Sequence, residues 1–238
     1  MDDIYCYKGT NVLRNLYDIH DKDILDELER ESTNTKILSL ELRPEQIVND
    51  ISIEHLNELH RFLFGKLYEW AGQYRVVDLY KSERVLSGLS VEYAKHNEIE
   101  KRLEEFLNKA SQFDWKDKDV ALKSTFDLLV GIWEIHAYRE GNTRTCTTFI
   151  KRILLSQGIE FNAGLLKEHP AYVRDSLVMA TYDEPQYLMR ILKDAFETKL
   201  NFQYFNKDSI KEEYKVAKEK YYTTKQAEKL IAKKKLMK

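Results

Sequence analysis

At 238 residues with 43% hydrophobic content, the chain is long enough to bury one good core, so one domain with an appendage is the economical reading. Three prolines and eight glycines are too few for a turn-rich β fold, and a formal net charge of −2 gives no reason to expect nucleic acid. Two cysteines, Cys6 and Cys146, argue against a disulfide framework; no apolar run nears the ~20 residues that span a bilayer and no signal peptide is visible, so a cytoplasmic protein without a membrane partner is expected.

An irregular arm opens the chain and passes into an acidic segment, Asp18 to Glu31, where Ile24, Leu25 and Leu28 can form a short helix face. Pro44 breaks the apolar run of Ile37, Leu38, Leu40 and Leu42. Ser52 is a candidate cap for the next helix, whose face is Leu56, Leu59, Leu63, Phe64 and Leu67, with Trp70 as a core anchor and Gly72 just past its end. Residues 75 to 90 lose helical period and place Val76, Val77, Leu79, Val85 and Leu86 around the polar stretch Lys81-Ser82-Glu83-Arg84, which predicts a β-hairpin. Period returns after Glu92 with Ile99, Leu103, Phe106, Leu107 and Ala110 inward.

Between the buried runs Val120–Trp133 and Phe149–Leu154 lies Ile135-His136-Ala137-Tyr138-Arg139-Glu140-Gly141-Asn142-Thr143-Arg144-Thr145. Gly141 suits unusual backbone angles, and Asn142 or Thr143 can cap the following helix, so free N–H groups should point out of this turn. Such a helix start attracts anions, and Arg144 in its first turn opposes the macrodipole by roughly 0.3–1 kcal/mol unless an anion lies between them. Glu140 is the oxygen ligand a phosphate-bound Mg²⁺ takes, and His136, mostly uncharged near neutral pH, can accept a proton. Beyond this stretch Gly158 ends a helix. Pro170 and Pro185 open two more, which supply Tyr172, Val173, Leu177 and Val178, then Leu188, Ile191 and Leu192. Tyr172 and Tyr182 are candidates to flank an adenine. Residues 201–238 form a lysine-rich helical appendage to a domain spanning 1–200.

The central stretch resembles the signature of the Fic (Fic/Doc) family, His-x-Phe-x-Asp/Glu-Gly-Asn-Gly-Arg-x-x-Arg. His136, Glu140, Gly141, Asn142 and Arg144 are in register, Tyr138 replaces the phenylalanine, and Thr143 stands for glycine as in the Gly-Asn-Thr-Arg-Thr branch. Thr147 occupies the place of the last arginine. The segments Tyr7-Lys8-Gly9-Thr10, Tyr68-Glu69-Trp70-Ala71-Gly72 with Arg75, and Tyr80 to Leu89 are similar to family elements too, so the resemblance covers roughly residues 5 to 200.

The resemblance implies an all-α, Fic-like domain with a small β-hairpin flap and a C-terminal helical appendage, transferring AMP from ATP to a Tyr, Thr or Ser hydroxyl of a protein target. It makes His136 the base, Glu140 the Mg²⁺ ligand, and Gly141, Asn142, Thr143 and Arg144 the nucleotide contacts, while Lys81 and Ser82 lie on a target-binding flap. Ser209 and Glu213 resemble part of an inhibitory helix, and a small antitoxin is a possible partner. Alternatives are a degenerate nucleotide-binding module and an enzyme transferring phosphate or another nucleotide.

Overall fold

The computed structural model describes residues 3–47, 49–197 and 214–237. Asp21 accepts hydrogen bonds from the N–H groups of Asp23 and Ile24 and so starts α1, Lys22–Leu42. The expected short helix and the apolar run after it are one 21-residue helix. It stops at Arg43 because Pro44 disfavours helical geometry in the residue before it. Leu25 and Leu40 face inward, whereas Ile24, Leu38 and Leu42 are exposed.

Ser52 caps α2, Ile53–Phe64, by accepting from the His55 N–H at 3.0 Å. Leu56, Leu59, Leu63 and Phe64 are buried on one face, each contributing about 1.5–3 kcal/mol on removal from water. The helix ends earlier than its apolar period suggests: residues 65–73 form successive tight turns, and Gly72 sits in one of them at φ +79°. Trp70 is partly buried and stacks on Tyr68 at 4.5 Å.

The predicted hairpin does not form. Among the described residues, 75–90 make no β ladder; the chain is irregular and tightens into a 3₁₀ turn at Arg84–Leu86. Val85 and Leu86 are both fully buried, which a hairpin strand with one face to solvent does not arrange for consecutive residues. The Lys81 N–H donates to the Ser90 hydroxyl, so a side chain replaces the strand partner.

Helices α3 (Ile99–Ala110), α4 (Lys118–Ile135) and α5 (Asn142–Ser156) follow. α4 and α5 form the centre: Leu128, Leu129, Ile132 and Trp133 pack with Phe149, Ile150, Ile153 and Leu154. Gly158 at φ +71° ends α5 as its sequence position implied. α6 (Ala163–Glu168), α7 (Pro170–Ala180) and α8 (Gln186–Glu197) complete the body, with Pro170 in the first turn of α7 and Pro185 directly before α8.

Residues 214–237 lean on this body. Tyr214 donates to Asp194, the Tyr222 N–H donates to the Val85 carbonyl, and α9 (Thr224–Lys235) buries Ala227 and extends Lys234 to Glu134 and the Thr181 carbonyl. Among the described residues no helix is long and apolar enough to cross a membrane. The predicted boundary at residue 200, with Ser209 and Glu213, lies outside the described residues.

Candidate active site

The turn between α4 and α5 gathers the chemistry because neither helix can run through it. His136 adopts a left-handed conformation (φ 54°, ψ 56°) that closes α4, and Gly141 (φ +79°) opens α5. A side chain disfavours such angles by roughly 1–2 kcal/mol, so the surroundings must hold His136 there. Arg75 does much of this. Fully buried, it donates from Nε to the His136 carbonyl (2.9 Å), from NH1 to Val77 (2.7 Å) and from NH2 to Ala94, while its N–H reaches the Ala137 carbonyl.

Asn142 does not cap α5 as its residue type suggested. Its side chain turns back across the loop, accepting from the Tyr138 N–H (2.9 Å) and donating to the Tyr138 carbonyl (2.7 Å). Thr143 also leaves the capping position, its hydroxyl accepting from Trp133 Nε1 at 3.0 Å. The N–H groups of Asn142, Thr143 and Arg144 therefore meet no acceptor among the described residues, which is the anion-binding condition anticipated from the sequence.

His136 is 1% exposed and stacks on Tyr93 at 4.0 Å. Nδ1 lies 3.1 Å from the Trp133 carbonyl, which can only accept, so the proton sits on Nδ1 and Nε2 carries the lone pair. Nε2 is buried without a partner among the described residues. Burial first, and the Lys81 ammonium second, push the imidazole well below the ordinary histidine range, so the ring is neutral at physiological pH.

Glu140 has the opposite balance. Burial opposes its charge, but the Lys81 ammonium, the Gly141 N–H and the Arg144 guanidinium outweigh it and bring the carboxyl down to about 2. Lys81 Nζ lies 3.3 Å from Oε2, and Gly141 donates to Oε1 at 3.0 Å. A carboxylate that stays ionised beside a cation suits Mg²⁺, which takes one or two carboxylates and fills its remaining positions with water and phosphate oxygens. Among the described residues there is no cluster of three or more His, Cys, Asp and Glu that could cage a metal by itself.

Of the sequence-predicted residues, His136, Glu140, Gly141, Asn142, Thr143, Arg144 and Lys81 line one small pocket, and Arg174 from α7 joins them. Lys81 points inward to Glu140, while Ser82 is exposed and does not line the pocket. Arg144 borders the pocket with its guanidinium engaged by Glu29 and by Thr33 (3.3 Å), over the face of Phe64. Tyr172 and Tyr182 do not line it. Tyr172 donates to the Tyr187 carbonyl, and Tyr182 packs against Tyr222 and Lys234 of the C-terminal segment.

Sequence reasoning missed His60, Glu29, Tyr93 and Arg174. His60 accepts from the Gly72 N–H (2.8 Å), donates to the Glu140 carbonyl (3.0 Å) and stacks on Tyr138, so it braces the loop from beneath; burial depresses it to about 4. The available signal was a polar residue at a core-facing position between Leu56 and Leu63. Glu29 likewise interrupts the inner face of α1, where it accepts from Tyr68 and Arg144.

Known proteins resemble this chain in sequence and in fold. Residues 50–154 match the model of the Fic/DOC family. A probable protein adenylyltransferase of Sinorhizobium fredii, y4lH, is 31% identical over 167 residues, covering 70% of this chain and 83% of y4lH. The chain belongs to the Fic/DOC family. The protein adenylyltransferase VbhT of Bartonella schoenbuchensis is 28% identical over 160 residues, 66% of this chain, but the match spans only 32% of VbhT. In fold, this Fic chain resembles the Bartonella tribocorum BepC protein, solved with AMPPNP, at a TM-score of 0.67 and 21% identity over 80% of this chain and 95% of that one.

Proposed function

We propose that this protein is an adenylyltransferase that moves AMP from ATP to a hydroxyl group of a protein target. The observation that carries the reading is His136. A buried, neutral imidazole with a free Nε2 lines the same pocket as an ionised carboxylate and the unsatisfied amides of α5. The named activities of y4lH and VbhT agree with it.

The chemistry follows from those groups. The target hydroxyl gives its proton to His136 Nε2 as its oxygen bonds to the α-phosphorus. The bond from that phosphorus to the bridging oxygen breaks, and pyrophosphate leaves. The amides at the start of α5 offset charge on the α-phosphate oxygens, work that needs no reorganisation because Arg75, His60 and Asn142 already fix the loop. Glu140 would hold Mg²⁺, which supplies positive charge to the phosphates when bound. For that to happen Lys81 must release Glu140, and its ammonium is then available to a phosphate oxygen.

Incubation with ATP labelled at the α-position, and separately at the γ-position, tests the reading. Label from α on protein supports AMP transfer; label from γ means phosphoryl transfer; neither leaves a nucleotide-binding module. His136→Ala should lower the α-label rate on the order of 10²–10⁴-fold while nucleotide binding survives. Undiminished transfer by that variant would show that His136 is not the base.

A further inference from the structure

We infer that Arg174 grips the outer phosphates of the triphosphate and makes the pocket prefer ATP to AMP, an inference that rests on the adenylyltransferase reading above. A triphosphate seated with its α-phosphate at the start of α5 brings its most concentrated charge to whatever cations border the rest of the pocket. Three cationic heads do so: Lys81, Arg144 and Arg174.

Two of the three are engaged by groups of the loop and of α1. Arg144 is held by Glu29 and Thr33, and Lys81 is held by Glu140 until that carboxylate takes a metal. Nor does α5 offer another from position 147, where the Fic pattern has its second arginine. The Thr147 hydroxyl bonds back to the Thr143 and Arg144 carbonyls of its own helix.

Arg174 is arranged differently. Its Nε donates to Glu83 Oε2 at 2.9 Å and its NH2 to Oε1 at 2.6 Å, a two-point hold that fixes the plane of the guanidinium. Glu83 is itself 2% exposed and accepts from the Tyr93 hydroxyl at 3.1 Å, so the support is rigid. Beside it, Arg84 pairs with Asp175 and ties α7 to the 83–86 turn a second time. This hold occupies one edge of the fork. NH1 has no acceptor among the described residues, leaving donors in a fixed plane at the border of the pocket. A pre-oriented guanidinium with an open edge matches phosphate oxygens better than a flexible ammonium does. Glu83 thus acts as a positioning residue and Arg174 as the phosphate contact.

Equilibrium binding of ATP and AMP, each with Mg²⁺, to the full chain and to Arg174→Gln tests this. The parent should bind ATP more tightly than AMP. The variant should lose about 10–100-fold in ATP affinity, as loss of a charge-assisted contact implies, with AMP affinity unchanged within twofold. A purely structural ion pair with Glu83 would not separate the two nucleotides. Equal losses for both, or none for either, overturn the assignment. If Arg174→Gln does not fold, Arg174→Lys keeps the charge without the two-point hold: ATP weakened several-fold with AMP unchanged supports the inference, and parallel changes overturn it. A parent that binds no ATP sinks the functional reading and this assignment with it, a result distinct from a parent that prefers ATP and a variant that prefers it equally.

Discussion

Replacing Gly141 by alanine separates backbone strain from crowding at the heart of the site. The residue sits at φ +79°, where a side chain costs roughly 1–2 kcal/mol. An added Cβ would also lie 2.3 Å from Phe64 Cζ and 2.4 Å from Cε2, far inside the ~3.5–4.0 Å of a normal carbon contact. Phe64 has little room to yield. It is fully buried, with His60 tilted against it at 4.8 Å and the Arg144 guanidinium over its face at 5.0 Å. Overpacking of that kind adds about 1–3 kcal/mol. The total of about 2–5 kcal/mol corresponds to roughly 4–20 °C in Tm for a chain of this size. Gly158→Ala is the internal control: its φ is +71°, and nothing lies within 4 Å of the added Cβ. It should show the strain alone, roughly 1–2 kcal/mol. Thermal melts of both variants, with ATP binding measured below the transition, read the difference. Gly141→Ala should melt lower than Gly158→Ala and, unlike it, bind ATP poorly because the start of α5 has moved. Equal melting temperatures would refute the argument that the loop is pressed against Phe64.

Stability should fall with acid before the carboxylates take effect. His55 and His60 are both depressed by burial to about 4, and His136 moves in the same direction. The unfolded chain therefore binds more protons than the folded one between about pH 6.5 and 4, so stability rises with pH through that window and is lost as pH falls through it. Urea denaturation at pH 7 and 4.5 should differ by on the order of 2–3 kcal/mol for each of His55 and His60, and a flat profile would contradict their burial as neutral rings. Glu140, held down at about 2, contributes stability that is full above its ordinary range and is lost only as pH falls toward 2. Lys81→Met removes a cation that depresses both His136 and Glu140, so ring-proton resonances of His136 should titrate at a higher pH than in the parent; an unmoved midpoint would mean that the Lys81 ammonium does not contribute.

The local rules were readable along the chain. The Ser52 cap, the stop before Pro44, the glycines at 141 and 158 and the two apolar helices flanking the motif all follow from short-range sterics and hydrogen bonding, and a single sequence displays them. The resemblance at His136, Glu140, Gly141, Asn142 and Arg144 was also local, since the residues lie within one turn of chain. The hairpin was misread because Val76, Val77, Val85 and Leu86 look strand-like by composition, while burial of two consecutive residues and a side-chain partner for Lys81 are decided by what surrounds them.

Tertiary structure alone decided the electrostatics of the site. Lys81 reaches Glu140 across 59 positions, Glu29 reaches Arg144 across 115, and Glu83 reaches Arg174 across 91. No periodicity links such pairs, because their proximity comes from helices that meet only after the core has closed. The sequence by itself determined which groups could do chemistry and where the turn that carries them would fall. Which nitrogen of His136 keeps its proton, which cations are paired and with what, and which guanidinium still has an open edge were settled by long-range packing, which alone sets burial and charge neighbours.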